Sequence, residues 1–124
     1  MQKSTAAVRA WQLPSASRTV TAGPFSGKNS QGHRGVMVGI DVTTAGTGSI
    51  SAVVRALFPD GNWRTLLSST AVVTATSQFT LVYPGTPETA NIKVSMGLPV
   101  DYQVEIIHNN ANAITYSAFA ELIP

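Results

Sequence analysis

Two histidines (His33 and His108), six carboxylates, twelve serines and no cysteine are the groups from which this 124-residue chain could build chemistry. The lack of cysteine excludes disulfides, thiolate zinc sites, iron–sulfur clusters and cysteine nucleophiles. Hydrolytic zinc needs three protein ligands, commonly with two histidines at short helical spacing. Here His33 falls in a glycine-rich loop and His108 at the tip of a polar turn, so both are expected to be exposed loop residues. A metal site from His33, His108 and Asp41 would need the fold to bring distant segments together. Asp101 and Glu105 share one face of a strand, about 13 Å apart at Cα, too far for the paired carboxylates of a glycosidase. No Gly-x-Ser-x-Gly elbow occurs, and Gly46-Thr47-Gly48 lacks the third glycine of a dinucleotide loop. No catalytic, cofactor-binding or metal-binding residue is assigned, and the chain reads as a non-enzyme without cofactors.

The elements that would position these groups are strands. No stretch sustains a 3.6-residue period. Val36, Val38, Ile40 and Val42 alternate with Met37, Gly39, Asp41 and Thr43, the cleanest strand in the chain, with Gly39 marking a bulge or a close backbone approach. Ile50, Ala52, Val54, Ala56 and Phe58 line one face of the next run. Pro59-Asp60-Gly61-Asn62 carries specific turn chemistry, so 49–58 and 63–68 form a hairpin. Phe79, Leu81 and Tyr83 are expected to point inward, and 84–99 to cross between sheets. Tyr102, Val104 and Ile106, then Ile114, Tyr116, Ala118, Ala120 and Leu122, suggest a second hairpin around 108–112. Arg18 to Ala22 is a short β-rich run ended by Gly23-Pro24, and 25–35 has loop composition. Seven to eight short strands with regular turn signals predict an all-β fold, a single β-sandwich of jelly-roll or Greek-key topology. Most aromatics are expected in the core. Trp63 follows a turn, and its exposure would favour a carbohydrate-binding module as a distant alternative.

Charged residues are only 11% of the chain against 44% hydrophobic, below the usual charged share of about 25%. Few charges on so large a surface suggest that part of the exterior faces protein. Residues 1–34 carry a net +5 and residues 35–124 a net −3. Five dispersed cations are sparse for nucleic-acid binding, which is disfavoured. No apolar run is long enough for a membrane helix, and no secretory signal or Asn-x-Ser/Thr triplet is apparent. Residues 1–17, interrupted by Pro14, are expected to form an extended N-terminal arm ahead of a sandwich spanning 18–124. Lys3, Val8, Arg9, Trp11, Leu13 and Arg18 are its candidate partner-binding residues, with Trp11 favoured as an anchor in a partner's pocket.

Over residues 33–123, the order of short strings resembles small all-β proteins of the structural modules of tailed bacteriophages. These strings are His33-Arg34-Gly35-Val36, Ile40-Asp41-Val42-Thr43, Thr65-Leu66-Leu67, Val82-Tyr83-Pro84-Gly85, Leu98-Pro99, Val104 to His108, Ile114-Thr115-Tyr116-Ser117 and Leu122-Ile123. Val100-Asp101-Tyr102 departs from the pattern, which has a basic, Trp-containing strand start there, and the leading segment is this chain's own. The resemblance implies a virion component on the capsid surface, a decoration or cement protein stabilising the head by bridging capsid subunits. Its partners would be the major capsid protein and its own copies, as a dimer or trimer. A neck, tail or fibre-adaptor protein is the alternative.

Overall fold

The computed structural model describes residues 6–124. Nine strands run in chain order: β1 (Val8–Arg18), β2 (Ala22–Lys28), β3 (Gly35–Thr44), β4 (Ile50–Leu57), β5 (Trp63–Ser68), β6 (Ser77–Val82), β7 (Lys93–Val94), β8 (Asp101–His108) and β9 (Ile114–Ile123). They form a five-stranded sheet in the order β1-β9-β3-β6-β7 and a four-stranded sheet in the order β2-β8-β4-β5. Every pairing is antiparallel except β6 with the two-residue β7. Setting β7 aside, the order is that of a jelly roll: successive strands alternate between the sheets except at the β4–β5 hairpin. No helix among the described residues is long and apolar enough to cross a membrane.

The core follows from the period-two pattern. Val36, Val38, Ile40 and Val42 of β3 face Ile50, Ala52 and Val54 of β4 across the sandwich, with Val104 and Ile106 of β8 and Tyr116 of β9 fully enclosed among them. The β4–β5 turn forms as its residues dictate. Gly61 has φ +85°, the Asp60 carboxylate accepts the Asn62 N–H at 2.9 Å, and Phe58 and Asn62 close the hairpin. Those bonds hold the Asp60 carboxyl below its ordinary range, chiefly through the Asn62 N–H.

Five expectations are corrected. The first concerns residues 1–17: from Val8 to Ser17 they are edge strand β1, paired with β9 from Leu122 to Thr115, not an arm. The polar, small-residue composition hides a strand because only Trp11 and Leu13 turn inward, and bulges at Arg9/Trp11 and Leu13/Ala16 break the alternation around Pro14. The second is β2, which runs through the cis Gly23–Pro24 bond instead of ending there. As a sheet edge it tolerates the proline. Third, β8 and β9 do not form a hairpin, since they belong to different sheets and 109–113 crosses between them. Fourth, β6 has the opposite phase: Thr80 and Val82 face the core while Phe79 is 55% exposed. The small Thr80 fits because its hydroxyl points to the Val38 carbonyl at 3.4 Å. Phe58 likewise sits in the turn, exposed. Fifth, Gly39 marks no bulge, for the register runs unbroken through it on both sides. The Phe119 ring lies where a side chain at Gly39 would stand.

Candidate interaction surfaces

The residues singled out for chemistry do not converge. His33 lies in the β2–β3 loop at one end of the jelly roll, and His108 closes β8 at the other. Neither is an exposed loop residue. His33 is 3% exposed, with its Nε2 donating to the Ala6 carbonyl at 2.9 Å and its backbone clasped on both sides by the Asn29 amide. Among the described residues no group of three or more His, Cys, Asp or Glu could hold a metal ion. Asp101 and Glu105 point outward into separate ion pairs, with Lys28 at 2.6 Å and Arg55 at 2.8 Å. These acids and bases are thus paired or dispersed, and they do not converge on one site among the described residues.

The candidate partner-binding residues divide. Trp11 reaches between the sheets and stacks on Phe25 of β2, ring centroids 4.6 Å apart, closing the seam between the β1 and β2 edges. Its ring is thus seated in its own domain. Leu13 packs against the core beside it. Arg18 donates to the carbonyls of Tyr116 (2.7 Å) and Pro14 (2.6 Å), with its guanidinium over the Tyr116 ring. Arg9 stands on the outer face, over Phe119 and 3.4 Å from Glu121. Val8 is exposed at the strand start, and Lys3 lies outside the described residues. Trp63 is half-buried, so the exposed aromatic on a sheet face is Phe79.

The informative surface is apolar. Of the eight large hydrophobic residues that are exposed among those described, five (Val8, Leu57, Phe58, Met96 and Val100) belong to one end of the jelly roll. That end is defined by the starts of β1, β3 and β8 and the turns around 58–62 and 95–100. It is tied together by Asn29 N–H to the Val100 carbonyl (2.7 Å) and Leu98 N–H to the Arg34 carbonyl (2.9 Å). Phe58 and Val100, at 46% and 68% exposure, are its most prominent members. Single exposed apolar side chains are ordinary; these five are set apart by sharing one end of the sandwich. The order in which apolar residues fall in the sequence does not show it, because the five come from three segments joined only by the topology.

The opposite end carries a titratable group. The His108 ring nitrogens and the Tyr116 hydroxyl are buried without an aligned hydrogen-bond partner, their rings 6.1 Å apart. Burial, and secondarily the Arg18 charge, hold the His108 pKa below its ordinary value. Unfolding returns His108 to about 6.5, so the unfolded chain takes up the proton first as pH falls. The stability contributed by neutral His108 is complete above about pH 6.5 and is lost as pH falls toward the lower folded pKa. Urea midpoints are expected to fall between pH 7.5 and 5.5, and His108→Asn to flatten that fall. Equal pH dependence in both proteins would refute the assignment.

No family model matches the chain, and no curated protein matches it. Solved structures do resemble it. A chain of the infectious bursal disease virus Gx strain structure superposes with a TM-score of 0.51 at 15% identity, covering 94% of this chain and 30% of the viral one. The chain thus spans about 30% of the length of the viral chain it matches. PirA matches at 15% identity and a TM-score of 0.47, covering 92% of each chain. The Yersinia pseudotuberculosis-derived mitogen matches at 12% identity and 0.41, covering 90% of this chain and 86% of the other. At 15% identity the likeness to the viral chain is one of fold alone.

Proposed function

We propose that this jelly roll is a virion structural protein, a decoration or cement subunit that stabilises a phage head by bridging capsid subunits at the capsid surface. The observation that carries the reading is the apolar end built from Val8, Leu57, Phe58, Met96 and Val100. A domain with so few charges and its exposed hydrophobic groups gathered at one pole gains most by burying that pole against protein. The likeness of fold to a viral structure supports the reading. The major capsid protein and further copies of the chain, as a dimer or trimer, are the partners proposed, with Val8 contributing directly and Arg9 following it along β1.

A cement subunit binds assembled lattice in preference to free capsid protein, and so stabilises the shell by mass action. Repetition over a symmetric lattice lets modest single-site affinity suffice. Cosedimentation with heads stripped of accessory subunits tests this. The double variant Phe58→Asp/Val100→Asp is expected to bind at least about ten-fold more weakly, as loss of central apolar anchors does, with unchanged circular dichroism and urea midpoint. Unchanged binding by a folded double variant, or no binding by the wild type, would overturn the proposal. Occupancy matching the shell lattice supports a head protein, whereas a single ring at the portal would identify a neck or tail adaptor instead.

A further inference from the structure

The outer face of the five-stranded sheet carries a feature independent of the apolar end. Gly39 of β3 pairs across to Phe119 of β9 on one side and Phe79 of β6 on the other. Two residues along, Asp41 pairs with Ser117 and Ser77. An aromatic row, Phe79–Gly39–Phe119, therefore lies beside a polar row, Ser77–Asp41–Ser117, about 7 Å away on the same face. Because Gly39 has no side chain, the two phenyl rings meet edge to face over it, centroids 6.4 Å apart. They leave a slot of about 80 Å³ bounded by these residues and Ile40.

Two observations give the slot a chemistry. The guanidinium of Arg9 already lies over Phe119, 4.5 Å from its centroid, and bonds to Glu121 at 3.4 Å. One ring on this face thus holds a cation backed by a carboxylate. The other half of the arrangement lacks its cation. Phe79 is 55% exposed, and the Asp41 carboxylate accepts from the Ser77 hydroxyl at 2.8 Å with no Lys, Arg or His paired to it among the described residues.

We infer that this slot is a socket for an arginine side chain presented by a partner polypeptide. The guanidinium would stack on Phe79 and donate to Asp41, as Arg9 does with Phe119 and Glu121. Arginine fits better than lysine because a planar, weakly hydrated fork can lie on a ring while its edge donates to a carboxylate a row away. The serine hydroxyls flank the carboxylate and favour a polar, oriented head group over an aliphatic one. The site is distinct from the apolar end and stands whether or not the chain binds a capsid.

The probe is N-acetyl-arginine N-methylamide, titrated into the labelled full chain at low salt. The readout is the amide signals of Asp41, Ser77 and Ser117 and the ring signals of Phe79. Saturable shifts at these positions are expected, with millimolar affinity in keeping with a single exposed pair. The citrulline analogue, which keeps the shape and loses the charge, should bind several-fold more weakly, and the lysine analogue should fall between them. Asp41→Asn should weaken arginine binding about five-fold, and Phe79→Leu should weaken it further while leaving the fold intact. Absence of saturable shifts, equal shifts with citrulline, or an unaltered Asp41→Asn titration would each overturn the assignment. So would concentration-dependent shifts at these positions without probe, which would mean that a second copy fills the slot.

Discussion

Deletion of residues 1–17 is expected to unfold the domain. An unpaired arm could be removed without consequence, but Val8 to Ser17 supply the outer strand of the five-stranded sheet. Losing them would strip one full side of β9 of its hydrogen-bond partner and open the flank of buried Ala118 and Ala120, the cross-strand neighbours of Leu13 and Trp11. The Trp11–Phe25 stack that closes the seam would go as well. Trp11→Ala alone is expected to cost about 3 kcal/mol, the low end for truncating a large aromatic, because the ring is only partly buried. Removing the whole strand should exceed about 5 kcal/mol, comparable to the total stability of a small domain. Chemical denaturation of the full chain, Trp11→Ala and the deletion, followed by tryptophan fluorescence and circular dichroism, checks the order. A deletion variant that keeps a cooperative transition near the full-length midpoint would show that β1 is dispensable.

That result would also explain why the segment was hard to read. The strands with alternating apolar residues (β3, β4, β8 and β9) are buried on one face along their whole length, and their pattern carries that burial directly. β1 and β2 are edges, where a few inward residues suffice and bulges, Pro14 and Pro24 are tolerated. The phase of β6 runs against its sequence pattern because the larger, more apolar Phe79 faces out while the smaller Thr80 faces in. The core at Thr80 accepts a β-branched residue whose hydroxyl meets a backbone carbonyl, while Phe79 closes over a glycine outside. The β8–β9 connection has hairpin length and polarity, yet jelly-roll winding sends the two strands to different sheets. Local turn chemistry decides a hairpin only when the flanking strands bury the same face, as in β4–β5. The apolar end and the Phe79 slot are both products of topology: Gly39 draws notice in the sequence, but the rings that lean over it come from β6 and β9.

Gly35→Ala is expected to be the most disruptive single-methyl change in the chain. Gly35 opens β3, where it pairs with Ile123 of β9, and its backbone dihedrals require no glycine. Space does. A Cβ at this position would collide with the Val82 carbonyl oxygen and approach the Tyr83 Cα to 3.1 Å. Both are backbone atoms, so relief requires moving β6 away from β3 at the pair Val36–Val82, whose side chains are fully buried. Overpacking of this kind costs about 1–3 kcal/mol, and the upper part of that range applies when a strand must shift. Gly97 supplies the contrast: it has no neighbour within 4 Å of a built Cβ and no positive φ. Gly97→Ala is expected to be neutral or to stabilise by about 0.4–1 kcal/mol, because alanine restricts the unfolded chain. Paired urea titrations measure the difference directly. If the two alanine variants unfolded at the same midpoint, the close approach of β6 to β3 at Gly35 would not be a constraint on the fold. A large loss at Gly35 alone would place the β3–β6 contact, which also frames the Phe79 slot, among the least yielding parts of the sandwich.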